Sequence, residues 1–561
     1  MWHDCSMRIV VIGSVAAGTS VGAKARRNTE TAELVIYDRD RDISYSGCGL
    51  PYYVGGEVEE IDALTPRDAA WFAKRYNITI RTGHEVTGID PASRTITVTD
   101  RAAGVTFTDS YDELVLATGV SPIVPPLPGV GATGVFTVRT PSHAQAIRSW
   151  IDTTGARRAV VVGAGFIGLE MVEQLAGRGI TTTLVEKLTQ VMPTLDAEMA
   201  ARVADEVERH GVDLRLGRSV REVTGDPVTG VVLDDGTAVA ADLVIVAVGV
   251  RPNVELAELA GVSLGSTGAV AVDQRMHTNV DHIWAAGDVA ESFSVITGRP
   301  VWRPLGSTAN KMGRIAGDAI TGGDLTHRGI VGSGIFRVFD LTVAQTGLTE
   351  TEAREAGYQV AVLHNLKPDR PEYLGGKELV IKAVADRTTG RLLGAQIVGP
   401  QGVDKRIDVF ATAITFGANA ADLFHLDLAY APPYATTKDP VLYTGMALDN
   451  AVTGRAPLIT SAEIIERQSR GEQLQIVDVR SAGDYAKSHV EGAVNIPLGE
   501  LRDRLAELDA SLPTVTYCNK GVSGNAGQNI LLRSGFASVA NLSGGNKNYQ
   551  AFLRSSARAE A

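Results

Sequence analysis

Two cysteines in this chain stand where a sulfur could react. Cys48 lies in Ser44-Tyr45-Ser46-Gly47-Cys48-Gly49-Leu50-Pro51-Tyr52-Tyr53, framed by glycines. No second cysteine is near it: the chain has three, Cys5, Cys48 and Cys518. A lone sulfur cannot close a local dithiol pair. Its oxidised forms are a sulfenic acid, a persulfide or a mixed disulfide with a small thiol. Cys518 lies in Tyr517-Cys518-Asn519-Lys520-Gly521-Val522-Ser523-Gly524, at a strand end that opens into a loop and then a helix. Successive backbone amides in such a turn form a cradle that stabilises a thiolate or a persulfide. Cys5 falls in residues 1–6, which read as an extension before the strand that Met7 opens, and is taken as incidental.

The elements around Cys48 read as nucleotide-binding units. Arg8-Ile9-Val10-Val11-Ile12-Gly13 has the apolar run of a buried parallel strand. A turn through Gly18 leads into a helix over Thr19 to Arg27. A second strand over Ala32 to Tyr37 ends at Asp38, placed to bind ribose hydroxyls. Val15 replaces the usual second glycine of the fingerprint. A second copy is complete: Gly163, Gly165 and Gly168, then Glu186 at the end of its next strand. Such glycines let backbone amides reach a pyrophosphate at a helix N-terminus. Glu186 favours a free ribose 2′-hydroxyl, with Lys187 beside it softening that preference. Two apolar strands stop at Thr118-Gly119 and Val248-Gly249, where close backbone approach is expected. A third ends at Gly287-Asp288, whose carboxylate could cap a helix, hold the ribityl chain of a flavin, or do both.

Composition narrows the class. The 561 residues suggest about three to five domains. The net charge of −12 argues against a general nucleic-acid or anionic-membrane surface. No apolar run approaches the ~20 residues of a membrane span. The N-terminus lacks a signal-peptide core. Three scattered cysteines make no disulfide framework, so a reducing cytoplasm is the expected compartment. No metal ligand set is expected.

The order Gly13/Gly18, Asp38, Cys48, Thr118-Gly119, Gly163 to Gly168, Glu186, Gly287-Asp288 resembles the FAD-dependent pyridine nucleotide–disulfide oxidoreductases. Cys48-Gly49-Leu50-Pro51-Tyr52-Tyr53 and Tyr430-Ala431-Pro432-Pro433-Tyr434 are similar to the single-cysteine branch, which holds coenzyme A-disulfide reductases and NADH oxidases or peroxidases. This resemblance covers about residues 7–450. It implies FAD at Gly13, Gly18, Asp38, Val86, Thr118, Gly119, Gly287, Asp288 and Ala309, and NAD(P)H at Gly163, Gly165, Gly168 and Glu186. It implies a coenzyme A pocket drawing on Ser20, Lys24, Arg27, Ser44, Lys74, Arg75, Asn310 and Lys438, although each cation alone reads as a solvated face. It also implies a homodimer that brings Tyr373 and Tyr430 of the partner over the cysteine, and a Cys48 thiol lowered by the flavin and a helix N-terminus. Two departures stand out. Gly47 replaces the Asn or Ser usual before the cysteine, and the segment around Tyr373 lacks the usual Tyr-Tyr-Pro-Gly.

Val477-Asp478-Val479-Arg480, His489 to Pro497, Tyr517 to Gly524 and Asn541-Leu542-Ser543-Gly544-Gly545 resemble the rhodanese domain over about residues 458–556. Here Ser523 replaces the usual arginine, and Lys520 is a candidate to compensate. Asp478 and Arg480 read as a buried pair bracing the loop; His489 reads as structural. A strand over Leu474 to Val479, a helix near Leu501, a strand over Val515 to Tyr517 and a helix from Gly524 are expected.

The expected fold is α/β. It has two Rossmann-like nucleotide-binding domains, an α+β dimerisation domain and a C-terminal α/β rhodanese-like domain. The FAD-binding domain is expected over 7–120 and 250–325 and the NAD(P)H-binding domain over 121–249. The dimerisation domain follows over 326–450, a linker over 451–457 and the rhodanese-like domain over 458–561. The resemblances imply a reductase of coenzyme A disulfide, coenzyme A persulfide or polysulfide, with catalytic Cys48, Cys518, Tyr373 and Tyr430. The alternatives are an NADH oxidase or peroxidase using a Cys48 sulfenic acid, and a redox-sensing interaction protein.

Overall fold

The computed structural model describes residues 7–560, so the readings of residues 1–6 and of Cys5 lie outside the described residues. The chain divides into two compact units: Met1–Leu184 with Val220–Ile330, and Val185–Ser219 with Val331–Ala561.

The first unit is built on a five-stranded parallel sheet. Arg8–Ile12 runs at its centre, between Glu33–Asp38 and Glu113–Leu116; Thr79–Thr82 and Ile283–Ala285 lie outside them. Both faces of the sheet are covered, which is why Ile9, Val10 and Val11 form an unbroken apolar run with almost no exposed surface. The helix Ala16–Asn28 starts three residues before the expected position. It packs against Gly306–Ile320, where a Cβ on Gly313 would come 2.3 Å from the Ala17 carbonyl oxygen. The same unit carries the second glycine turn. Arg158–Val162 pairs in parallel with Leu243–Val246, which in turn pairs with Val135–Phe136.

The second unit holds two sheets. One is antiparallel, in the order Gly334–Val338, Leu341–Gly347, Leu392–Gly399, Glu378–Asp386, Val360–Pro368. The other is parallel, in the order Leu458–Ile459, Val539–Leu542, Thr514–Tyr517, Gln475–Asp478, Ala493–Asn495. The terminal helix Gly545–Glu560 lies along Ala197–Arg209, where Arg554 and Arg558 pair with Asp205. No helix among the described residues is long and apolar enough to cross a membrane.

Three local expectations are corrected. No helix forms near Leu501; that residue is fully buried in an irregular segment, and a single short 3-10 turn follows at Leu505–Glu507. No helix begins at Asp288, so its carboxylate is not an N-cap. Gly119 and Gly249 are needed for their φ of +65° and +114°, not for close approach. The close approaches belong to Gly13 and Gly163. A Cβ on them would come 2.2 Å from the Ala117 oxygen and 2.4 Å from the Ala247 oxygen.

Candidate functional site

The two glycine turns share one construction. At Gly18 a Cβ would come 1.8 Å from the Gly13 oxygen; at Gly168 it would come 1.9 Å from the Gly163 oxygen. Each helix therefore starts tightly against its strand. Neither Ala16–Asn28 nor Phe166–Gly177 has a side-chain cap or an acid in its first turn. Elsewhere in the same unit, Pro141–Thr154 is capped by Thr140. Two helix N-termini without a side-chain cap, each following a parallel strand, present a positive dipole end to a diphosphate.

Asp38 is fixed for ribose binding. Its Oδ2 accepts from the Ser14 amide at 2.8 Å and the Ser14 hydroxyl at 2.5 Å, and its Oδ1 accepts from the Asp40 amide. Burial raises its carboxyl above the ordinary value, and these hydrogen bonds offset part of that rise. Thr118 is locked to Asn253 by reciprocal bonds of 2.8 and 2.7 Å. Gly287, at φ +84°, sits over Ala17 and Ala309: a Cβ there would come 2.7 and 3.4 Å from theirs. Asp288 follows, its carbonyl accepting from the Trp302 indole. Val86 is buried in the antiparallel strand His84–Asp90. In the second unit, the buried Glu186 ends its strand and accepts from the Leu188 amide.

Cys48 occupies a short 3-10 turn, Gly47–Gly49, leading into Leu50–Gly55. A Cβ on Gly49 would come 2.4 Å from a terminal methyl of Leu64, so any side chain after the cysteine would have to push that leucine aside. Gly47 is different: a Cβ there meets only ordinary contacts, with Tyr45 and Arg139. Cys48 is exposed on one side and packed on the others. Burial pushes its thiol up, the carboxylates of Glu170 and Asp288 push it further, and Arg139 pulls it back. Burial and the two carboxylates outweigh Arg139, so the thiol stands above its ordinary value. Arg139 and Glu170 were not singled out in the sequence. Arg139 stands one residue before the Thr140 cap and bonds the Val120 carbonyl and the Tyr45 hydroxyl. Glu170 lies two residues beyond Gly168 and accepts from Tyr52 at 3.3 Å. The glycine fingerprint was its only signal.

These charges give a signed expectation. Glu170→Gln should shift the pH profile of Cys48 alkylation to lower pH, because it removes a negative neighbour of the thiolate. Arg139→Met should shift it to higher pH. Mass spectrometry of the Cys48 peptide reads both, and shifts in the same direction would contradict the arrangement.

The expected coenzyme A residues fall into groups. Ser20, Lys24 and Arg27 ride one helix. Ser20 bonds Asn310 at 2.7 Å, Lys24 pairs with Asp318 at 2.8 Å, and Arg27 bonds the Tyr76 hydroxyl at 3.0 Å. Arg75 also stacks on Tyr76, and Lys74 beside it is exposed. Arg26 instead is buried, donating to the carbonyls of Thr29, Glu30, Ala32, Tyr76 and Asn77. Ser44 takes a left-handed φ of 49° and donates its amide to the Ser14 carbonyl. Tyr373 and Tyr430 are 76% and 48% exposed on the second unit. Lys438 lies over the Tyr443 ring.

Cys518 is buried at the end of Thr514–Tyr517. The Gly521 amide, at φ +100°, donates to its sulfur at 3.2 Å, and the helix Val522–Arg533 that follows has no side-chain cap. Arg480 and Asp478 form the buried pair, and Arg480 reaches on to Asn519 and the Ser488 carbonyl. His489 stacks on Tyr485 and bonds its carbonyl oxygen at 3.0 Å. Lys520 is ion-paired with Glu378.

The family model described as pyridine nucleotide-disulphide oxidoreductase matches residues 7–313, and that family's dimerisation domain matches residues 335–440. The chain belongs to the pyridine nucleotide-disulphide oxidoreductases. A rhodanese-like domain matches residues 460–552. The NAD(P)H coenzyme A polysulfide/persulfide reductase of Pyrococcus horikoshii is 36% identical over 450 residues, covering 80% of this chain and all of that one. The reduced Bacillus anthracis CoADR-RHD superposes with a TM-score of 0.95 at 38% identity, over 98% of both chains. The NAD-dependent persulfide reductase from A. fulgidus gives 0.89 at 38% identity, over 97% of this chain and 100% of that one. The family uses FAD and NAD(P)H. The uncapped helices, the fixed Asp38 carboxylate and the small residues around Gly287 fit those groups.

Proposed function

We propose that this protein is an FAD-dependent NAD(P)H oxidoreductase that reduces coenzyme A persulfide, coenzyme A disulfide or polysulfide through Cys48, with sulfane sulfur handled at Cys518. The observation that carries the reading is one chain with two lone cysteines, one set among nucleotide turns and the other in an amide cradle. The sulfur-related names of the relatives support it.

Gly13, Gly18, Asp38, Val86, Thr118, Gly119, Gly287, Asp288 and Ala309 would hold FAD, which when bound stores the two electrons that NAD(P)H delivers. Gly163, Gly165, Gly168 and Glu186 would hold the pyridine nucleotide. The Cys48 thiolate attacks a sulfur–sulfur bond of the acceptor, forming a mixed disulfide and releasing the other sulfur as a thiolate or hydrosulfide. Two electrons then return both sulfurs to thiolates, and the coenzyme A thiol leaves. Ser20, Lys24, Arg27, Ser44, Lys74, Arg75, Asn310 and Lys438 would bind coenzyme A, whose phosphates need cations. Residues 326–450 would form the homodimer interface, bringing Tyr373 and Tyr430 of the partner to donate to the leaving thiolate. A reducing cytoplasm suits both sulfurs.

NADH oxidation, measured anaerobically with coenzyme A persulfide, coenzyme A disulfide or polysulfide and separately with oxygen as the sole acceptor, tests this reading. Turnover should be fastest with a sulfur acceptor; fastest turnover with oxygen would overturn it in favour of an oxidase. Cys518→Ser should slow polysulfide and coenzyme A persulfide turnover while sparing coenzyme A disulfide. Unchanged rates with all three would remove Cys518 from the scheme.

A further inference from the structure

Sulfur transfer at Cys518 brings two anions together. The sulfur of the attacking cysteine and the donor, a persulfide or an inorganic sulfane-sulfur anion, are both negative. Rhodanese-like loops usually meet this with an arginine where this chain has Ser523, and Ser523 here is an exposed residue in the first turn of its helix. Lys520 is not free to turn toward a donor, since it is ion-paired with Glu378, whose carboxylate also holds Lys547 at 2.9 Å.

That pairing has a second effect. Glu378 begins the strand Glu378–Asp386, opposite Pro368 at the end of Val360–Pro368, and the adjoining pair is Lys367 with Leu379. Lys520, two residues after the cysteine, is therefore tied to the strand ends that carry Lys367. The glycine turn Ser543-Gly544-Gly545 closes the same corner. A Cβ on Gly544 would come 2.8 Å from His364 on the Lys367 strand, and one on Gly545 would come 2.2 Å from the Cys518 carbonyl oxygen. The Ser543 hydroxyl accepts the His364 amide at 2.7 Å, and the Asn546 amide donates to the Cys518 carbonyl at 2.8 Å. Lys367 and Lys438 both lie over the Tyr443 ring, at 3.8 and 4.9 Å from its centre.

We propose that Lys367, with Lys438 beside it, completes the Cys518 site from the neighbouring antiparallel sheet, supplying the positive charge for an anionic sulfane-sulfur donor that the loop itself lacks at Ser523. Lys367 is half-buried; burial, then Lys520 and Lys438, hold its ammonium below the ordinary value, while the Cys518 sulfur raises it. The charged groups gathered at this corner are Lys367, Lys438, Lys520, Lys547 and Glu378, with Arg480 committed to Asp478. Tyr443 receives both ammonium groups by cation–π contact, and among the described residues neither forms an ion pair with a carboxylate. The transfer balances without another reagent. The Cys518 thiolate attacks the outer sulfur of RS–S⁻, an Sγ–S bond forms, the donor S–S bond breaks and RS⁻ leaves.

This inference rests on the reading of Cys518 as a sulfur-carrying nucleophile, and its test separates the two. The full-length protein is alkylated with iodoacetate, an anion, and with iodoacetamide, which is neutral, and the Cys518 peptide is quantified by mass spectrometry. In Lys367→Met the iodoacetate-to-iodoacetamide rate ratio should fall about three- to tenfold. Lys367→Arg should restore it. A merely structural lysine would slow both reagents alike and leave the ratio unchanged, which overturns the proposal. If Lys367→Met does not fold, the ratio in the unaltered protein is followed as salt is raised: a falling ratio supports the charge, and a constant one overturns it. No alkylation of Cys518 by either reagent overturns the carrier reading itself. Loading of Cys518 from inorganic polysulfide and from coenzyme A persulfide then identifies the donor. The donor whose loading slows more in Lys367→Met is the one this charge serves, and slowing with neither counts against the proposal.

Discussion

Cys48→Ser should lower NADH-driven reduction of coenzyme A persulfide and disulfide by at least about a thousandfold, the scale on which removal of a covalent nucleophile acts. The serine hydroxyl nearly matches the thiol in volume, and Cys48 is exposed on one side, so the turn Gly47–Gly49 has no reason to change. A hydroxyl cannot take part in thiol–disulfide exchange. The sulfur–sulfur bond of the acceptor then has no protein atom to exchange with, and no other cysteine among the described residues of this unit can replace it. FAD content and pyridine nucleotide binding should stay at the level of the unaltered protein, because Asp38, Thr118 and the glycine turns do not depend on the sulfur. Retention of more than about a tenth of the activity would mean that Cys48 is not the exchanging atom.

What the sequence made legible and what it did not have separable physical causes. Gly18 and Gly168 were readable because a Cβ at either would strike a carbonyl oxygen, so the spacing follows from a backbone requirement. Asp478 and Arg480 were readable because they are two residues apart and satisfy each other. The segment near Leu501 misled for an equally physical reason. Leu498, Leu501, Leu505 and Leu508 repeat at helix-like intervals, but they anchor an irregular loop onto Val477, Val479 and Ile496. Apolar spacing reports where a chain touches a core, not how its backbone gets there. Arg139 and Glu170 act on Cys48 from elements nearly a hundred residues or more away in sequence, and no local pattern reveals a tertiary electrostatic neighbour. Lys367 escaped for the same reason, in a strand that reads as plain sheet, whereas Lys438 was singled out only by resemblance to a coenzyme A position.

Lys382 is the extreme case of such a residue, and Lys382→Met should destabilise the second unit by about 3–5 kcal/mol, the usual loss when a buried charge loses its partner. On the strand Glu378–Asp386 it would pass for an ordinary lysine, yet it is 1% exposed. Its ammonium meets Glu198 at 2.5 Å, Glu350 at 2.9 Å and Asp196 at 3.0 Å. Gln396 donates to Asp196, and His364 bridges Glu198 to Ser543. The network therefore joins the helix Ala197–Arg209, the antiparallel sheet and the glycine turn beside Cys518. Methionine matches the length of the lysine stem but leaves three carboxylates with no ammonium between them. Burial alone would raise the Glu198 carboxyl, but Lys382 and His364 hold it well below the ordinary value, and Glu350 is lowered in the same way. The sign follows from those depressed values. The stabilisation is fully present above the ordinary glutamate pKa near 4.5 and is lost as pH falls below it through the folded-state values. Urea unfolding followed by a probe in the second unit should show the variant's midpoint displaced at neutral pH, with the gap to the unaltered protein closing in acid. A shift worth less than about 1 kcal/mol at neutral pH, or a gap that widens in acid, would show that the carboxylates do not depend on this lysine.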